Sequence, residues 1–295
     1  MAKAAKSTLL LHPRTSRLVD LYISNPSQPL LITGPPGAGK GSLGRTISAL
    51  VLDIPTDKLD GYPSFSLEQL PESQAEISID AIRQIRRSLS LKSPTLAPRR
   101  VVMVDGAHQM SHEAQNALLK ILEEPPAGAH FVLTATSASD LLPTVTSRAQ
   151  ELPVYPVSKP LATRHYSPPY DVSDVERAWN LSAGSAGLLS AILAGDQTHP
   201  LKLAVEEAKQ FLTSNTYERL LMADELAGNK ERFALFLDAL SRTLRYLSEN
   251  AVREKSKRLP LLLKSRKLVK RLSQQLAHRT NARLLGLELA LKLRA

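Results

Sequence analysis

Cysteine is absent from this chain, which excludes disulfides and any cysteine-ligated zinc site and fits a reducing compartment. Aromatic residues are scarce, at 4% of the sequence, and form no recurring motif; this argues against a binder that stacks single-stranded bases on rings. No apolar run approaches the length needed to span a bilayer. The opening MAKAAKSTLLLHPRTS has no apolar signal core, so the chain reads as cytoplasmic with no membrane partner. Acidic residues are outnumbered, and the formal net charge of +10 suits a polyanionic partner, although a solvated basic face explains it as well. What is present is 295 residues with 43% hydrophobic content, enough for a sizeable core and more than one domain.

The apolar pattern alternates short strands with helices. Leu30–Thr33 reads as a strand, followed by a glycine-rich loop and a helix from near Ser42 to about Val51. Residues 53–76 show no periodicity and read as a loop-rich insertion. From Ile77 the spacing is helical, with Ser78 as N-cap and Ile82, Ile85 and Leu89 as an apolar stripe. Pro94 and Pro98 break the chain before the strand Val101–Val104. A second helix over 111–124 has Ser111 as N-cap and stops at Pro125-Pro126, because proline neither donates nor fits inside a helix. Strand Phe131–Ala135 follows, and this alternation predicts a parallel α/β sheet. Five prolines within 153–170 mark a linker. Residues 171–195 form a short helical segment, and from about 200 the pattern is wholly helical, as in Phe233, Phe236, Leu237, Leu240, Leu244 and Leu247. The reading is three domains: an α/β core over 1–155, a small helical lid over 156–198 and a helical bundle over 199–295.

The loop GPPGAGKGS (34–42) follows an apolar strand and precedes a helix, the context a phosphate-binding loop requires. Gly34, Gly37 and Gly39 let the backbone N–H groups wrap phosphate, the helix N-terminus adds a favourable field, and Lys40 reaches phosphate oxygens. The bland alternative is a glycine-rich strand-to-helix turn, which the complete spacing disfavours. The residue after the lysine, ordinarily a Ser or Thr that holds Mg²⁺, is Gly41, with Ser42 one place on. Nucleotide kinases of the adenylate-kinase type share this loop form, so the loop alone names no family. Asp105, at the end of the second strand, is placed to reach Mg²⁺. Gly106 follows it, then Ala107 and His108, the last read as a surface histidine rather than a base. Arg83, Arg86 and Arg87 share one side of a helix, with Lys92, Arg99 and Arg100 nearby; a phosphate-tracking face and an ordinary solvated face explain them equally. A second basic run, Arg253 to Arg271, has Glu254 as its only acid.

The stretch NALLKILEEPP (116–126), the order strand, helix, strand, then Ser147-Arg148, and the segment SIDAIRQIRRSLSLKSP (78–94) resemble the delta-prime and gamma/tau subunits of bacterial DNA polymerase III clamp loaders. The resemblance covers roughly residues 10–195 and implies a P-loop AAA+ core with a helical lid and a C-terminal collar bundle for oligomerisation. It implies ATP or ADP with Mg²⁺ as ligand, and no zinc. The implied partners are gamma/tau and delta subunits, the sliding clamp and primer–template DNA. Three departures stand out. Gly41 lacks the Mg²⁺-binding hydroxyl, Gly106 replaces the glutamate that polarises water in active AAA+ proteins, and Gly184-Ser185-Ala186-Gly187 lacks the sensor-2 arginine. Arg148 is kept, in Ser147-Arg148-Ala149. The resemblance therefore implies a delta-prime-like stator that binds without efficient hydrolysis and projects Arg148 into a neighbour's ATP site. Against it stand an active gamma/tau-like ATPase, a nucleotide kinase and a plain DNA-binding scaffold.

Overall fold

Strands that are apolar along their whole length need cover on both faces, and this organises the first part of the molecule. The computed structural model describes residues 9–71, 74, 76–90, 99–196, 198–277 and 281–294. Five strands, β1 (Leu30–Thr33), β2 (Phe65–Gln69), β3 (Arg100–Asp105), β4 (Ala129–Ala135) and β5 (Gln150–Pro153), form one parallel sheet in the order β2-β3-β4-β1-β5. Side chains alternate between its faces. Leu30, Ile32, Val101, Met103 and Val132 pack with α1 (Pro13–Ser24) and α2 (Lys40–Leu52) through Val19, Tyr22, Leu43, Ile47 and Val51. Leu31, Val102, Val104, Phe131 and Leu133 pack with α3 (Ile79–Ser90) and α4 (His112–Glu123) through Ile82, Ile85, Leu89, Leu118 and Ile121. Each such fully buried aliphatic side chain is worth about 1.5–3 kcal/mol, so the two clusters fix which face each helix covers. The chain is α/β, with a wholly parallel five-stranded sheet covered by helices on both faces.

Local signals act as the sequence predicts at the helix starts. Ser78 Oγ accepts from Ala81 N at 3.4 Å and Ser111 Oγ from Ala114 N at 3.1 Å, each satisfying an otherwise orphaned donor. Two segments differ from expectation. The stretch read as a loop-rich insertion contains β2, an edge strand that pairs only with β3, Phe65 opposite Val101 through Gln69 opposite Asp105. Its polar Ser66, Glu68 and Gln69 hide the strand because one edge and part of a face meet solvent. The proline-rich linker contains α6 (Lys159–Tyr166), where Pro160 lies in the first turn, whose N–H groups have no intrahelical partner to lose. Lys92, Pro94 and Pro98 lie outside the described residues.

The chain divides into two compact units. Met1–Ser158 groups with the short stretch Ser185–Gly187, and Lys159–Gly184 groups with Leu188–Ala295. The second unit is helical: α6, α7 (Val172–Ser182), most of α8 (Ala186–Leu193), α9 (Pro200–Thr213), α10 (Thr216–Ala227), α11 (Lys230–Arg253), α12 (Leu259–Ala277) and α13 (Ala282–Lys292). Its core is built around Phe211, Phe233 and Phe236, with the Phe211 and Phe236 rings 5.3 Å apart edge to face. Arg242 Nη1 donates to Ser182 O at 2.6 Å and joins α11 to α7. That bond ties part of the stretch read as a separate lid to the bundle. No helix among the described residues is long and apolar enough to cross a membrane.

Candidate functional site

Parallel strands put all their carboxyl ends on one edge of the sheet, and in such folds ligands gather there. The glycine-rich loop leaves β1 at that edge, and α2 begins at Lys40 with Gly39 as its cap. Lys40 Nζ donates to Gly34 O at 2.7 Å and to Pro35 O at 3.1 Å. Burial lowers the Lys40 pKa, and the nearby negative charge of Asp105 works against that shift. Asp105 ends β3 and accepts from Thr134 Oγ1 at 2.5 Å, while the same hydroxyl accepts from Gly106 N at 2.9 Å. Lys40, Asp105 and Thr134 thus form one polar cluster between β1, β3 and β4.

The three glycines that replace family side chains have physical reasons here. A Cβ on Gly41 would stand 2.8 Å from Asp105 Oδ2, so the carboxylate fills the space where a Mg²⁺-binding side chain would start. Ser42, one residue on, lies in the first turn of α2. Gly106 has φ of +79°, where any other residue costs about 1–2 kcal/mol, and its Cβ would overlap Gln109 Oε1. A glutamate at this position is therefore disfavoured by the backbone conformation. Gly187 belongs with the first unit, and a Cβ there would meet Gly37 O, Gly39 Cα and Gly39 N, each at 2.8 Å. The loop backbone and Lys40 fit the phosphates of a nucleotide. The metal half does not fit hydrolysis, having one carboxylate, no hydroxyl at position 41 and no acid at 106. His108 is held at the turn after β3, its Nε2 3.3 Å from Thr136 Oγ1.

Arg148 sits at the opposite edge. It follows α5 (Pro143–Thr146) and precedes β5, which runs parallel to β1 with Gln150 opposite Leu30. The phosphate loop follows the other end of β1, where Gly34 lies against Val154, just beyond β5. Four strand residues, about 13 Å at about 3.3 Å each, separate the two edges. Arg148 is 38% exposed. Its Nη2 pairs with Glu123 Oε1 at 2.7 Å, and its Nη1 donates to Thr144 O at 2.9 Å and lies 3.5 Å from Ser147 Oγ.

The basic helix divides on inspection. Arg83 and Arg86 line a groove of about 370 Å³ between α3 and α4 together with Lys120, while Arg87, though exposed, is not part of its lining. Arg83 also pairs with Asp80 at 3.1 Å, both side chains well exposed. Arg99 turns away, donating to Val51 O at 3.1 Å near the end of α2. Sequence reasoning missed Thr134, Glu123 and Lys120. A lone polar residue inside the apolar run HFVLTA signals the first; no spacing rule signals the other two.

Comparison with known proteins follows the same lines. Residues 24–158 match the family described as DNA polymerase III, delta subunit. The chain is similar to DNA polymerase III subunit delta' of Escherichia coli, 31% identical over 187 residues, 61% of this chain and 56% of that protein. It is also similar to the tau subunit of Bacillus subtilis, 32% identical over 135 residues, 42% of this chain and 24% of that one. The chain therefore spans about half the length of the delta' relative and a quarter of the tau relative. Its fold is similar to that of a DNA polymerase III gamma subunit-related protein from Thermotoga maritima, TM-score 0.52 and 21% identity, over 94% of this chain and 97% of that one. The parallel sheet, the glycine-rich loop at its carboxyl edge and these matches together support a resemblance to clamp-loader subunits of bacterial DNA polymerase III, of the delta-prime type.

Proposed function

We propose that this chain is a stator of a clamp loader, helping to load the sliding clamp on primed DNA in the cytoplasm and supplying Arg148 to the ATP site of a neighbouring subunit. The observation that carries the reading is the separation of the two polar clusters. Arg148 lies across the sheet from its own phosphate loop, exposed and charged, so its phosphate partner belongs to another chain. Delta and gamma/tau subunits are the neighbours that the family supplies. A guanidinium placed in this way stabilises charge on a transferring phosphoryl group and is worth about 10³–10⁵ in rate.

The chain's own loop, Gly34, Gly37, Gly39 and Lys40 with Gly41 and Ser42, would hold the phosphates of ATP or ADP, and Asp105 would face an accompanying Mg²⁺. That metal would neutralise phosphate charge. Lys40 would leave its two loop carbonyls to meet the anion, and neither Gly41 nor Gly106 offers a side chain to take a proton from water. Gly41 and Gly106 set the alternative, a gamma/tau-like ATPase, at a disadvantage. On this reading the stretch 156–198 acts as a lid and 199–295 as a collar. Arg83 and Arg86, with Lys120 beside them, face the DNA backbone; Arg87 extends that basic side.

ATP turnover of the reconstituted loader with clamp and primed DNA tests the reading. Arg148→Ala is expected to lower turnover steeply and Lys40→Ala to change it little. The opposite pattern overturns the stator assignment.

A further inference from the structure

The partner of Arg148 is unusual for its place. Glu123 is the last residue of α4, where the helix field disfavours a carboxylate by about 0.3–1 kcal/mol. Its side chain is 43% exposed, and an exposed ion pair returns about 0–1 kcal/mol. Folding therefore gains little from an acid at this position. What the acid does is hold a guanidinium. Glu123 takes one Nη, the Thr144 carbonyl takes the other, and the two acceptors come from different elements, α4 and α5. Together they hold both ends of the fork, with Ser147 Oγ a further 3.5 Å neighbour of Nη1.

An unheld arginine carries about 2 kcal/mol of rotamer entropy, which is lost when it engages phosphate. A side chain held beforehand loses less, and a misplacement of about 1 Å near a reacting group can cost about 10²-fold. We propose that Glu123 is a positioning residue for Arg148, presenting its guanidinium in the pose that meets a neighbouring subunit's nucleotide. This rests on the trans-arginine reading of Arg148. It assigns a role to the second glutamate-bearing motif of the chain, LEEPP, whose prolines stop α4 at the residue that carries the acceptor.

The test is a set of turnover measurements on the reconstituted loader with clamp and primed DNA, using Glu123→Ala, Glu123→Gln, Arg148→Ala and the double variant Glu123→Ala/Arg148→Ala. Assembly is checked by gel filtration and the isolated chains by thermal unfolding. Glu123→Ala is expected to lower kcat by roughly 10- to 100-fold with KM for ATP little changed. Glu123→Gln falls between it and wild type, since its amide oxygen still accepts, though without charge. In the Arg148→Ala background Glu123→Ala adds nothing. A kcat kept at the wild-type level in Glu123→Ala, or raised, overturns the proposal while Arg148→Ala still loses activity. An additive loss in the double variant, or a loss of assembly, overturns it too and makes Glu123 structural. If Arg148→Ala itself is silent, the trans-arginine reading is what fails.

Discussion

The two edges of one sheet treat charge in opposite ways. At the carboxyl edge, Lys40, Asp105 and the Thr134 hydroxyl close on one another and on the loop's own carbonyls. At the amino edge, Arg148 is held by one acid and one carbonyl and still faces solvent. The first edge carries glycine at 41, 106 and 187, and Asp105, Gln109 and the backbone of Gly37 and Gly39 crowd the three positions. The second edge keeps a charged side chain within reach of solvent, with an acid and a carbonyl beside it. On the proposed stator reading, a subunit relieved of hydrolysis can pack its phosphate end inward, because nothing there has to move a proton. On the same reading, a subunit that serves a neighbour has to keep its charge outside, where an exposed pair contributes little to folding.

The largest effect that can break this contrast is at Arg148 in the assembled loader, where up to about 10³–10⁵ in rate is at stake. Comparable losses from Lys40→Ala would erase the difference between the edges. Next in size is Gly187→Arg, which restores the sensor-2 side chain. Its Cβ would press on the backbone of Gly37 and Gly39 at 2.8 Å, and backbone cannot swing aside as a flexible side chain does. The chain is expected to lose about 1–3 kcal/mol, read from its urea midpoint, without gaining ATPase activity. An undisturbed midpoint would mean that the phosphate end has room for a working sensor. Smaller again is the double change Arg83→Ala/Arg86→Ala. If both meet phosphates, DNA affinity of the loader weakens and the slope of log K against log salt falls by about 0.9 for each contact. An unchanged slope assigns the groove to solvent.

How much of this was legible before the structure varies with the physics behind each element. The buried strands were readable because both faces are covered, so β1, β3 and β4 carry uninterrupted apolar runs. The phosphate loop was readable because its glycines and lysine have fixed spacing. The edge strands were not. β2 and β5 each pair on one side only, and β5 carries Pro153, which an edge tolerates. Helix α6 hid in a run of prolines whose third member, Pro160, lies in a first helical turn instead of preventing one. In the site, Arg148 was visible through its motif, but its pairing with Glu123 reaches across strand β4 and helix α5 in the sequence and no periodicity encodes it. The Asp105–Thr134 bond joins residues 29 apart and follows only from the adjacency of β3 and β4.

The smallest effect separates the two edges by pH. Toward the amino edge, His130 lies near the start of β4, and burial, with the Arg99 charge behind it, lowers its pKa from the ordinary 6.5. The folded state therefore favours the neutral ring, while the unfolded chain takes up a proton near the ordinary value. Stability is full above about pH 6.5, declines as pH falls through it, and levels off below the lowered folded value. Lys40 at the carboxyl edge has the same sign at the other end of the scale. Its folded pKa lies below the ordinary 10.5, so the cost of burying its ammonium is relieved only as pH rises through that folded value. His130→Gln is expected to flatten the acid-side fall in unfolding free energy and leave the alkaline side alone, with Lys40→Met doing the reverse. If either variant altered both limbs, the two edges would be one coupled electrostatic unit, and Arg148 would feel the state of the phosphate loop within its own chain.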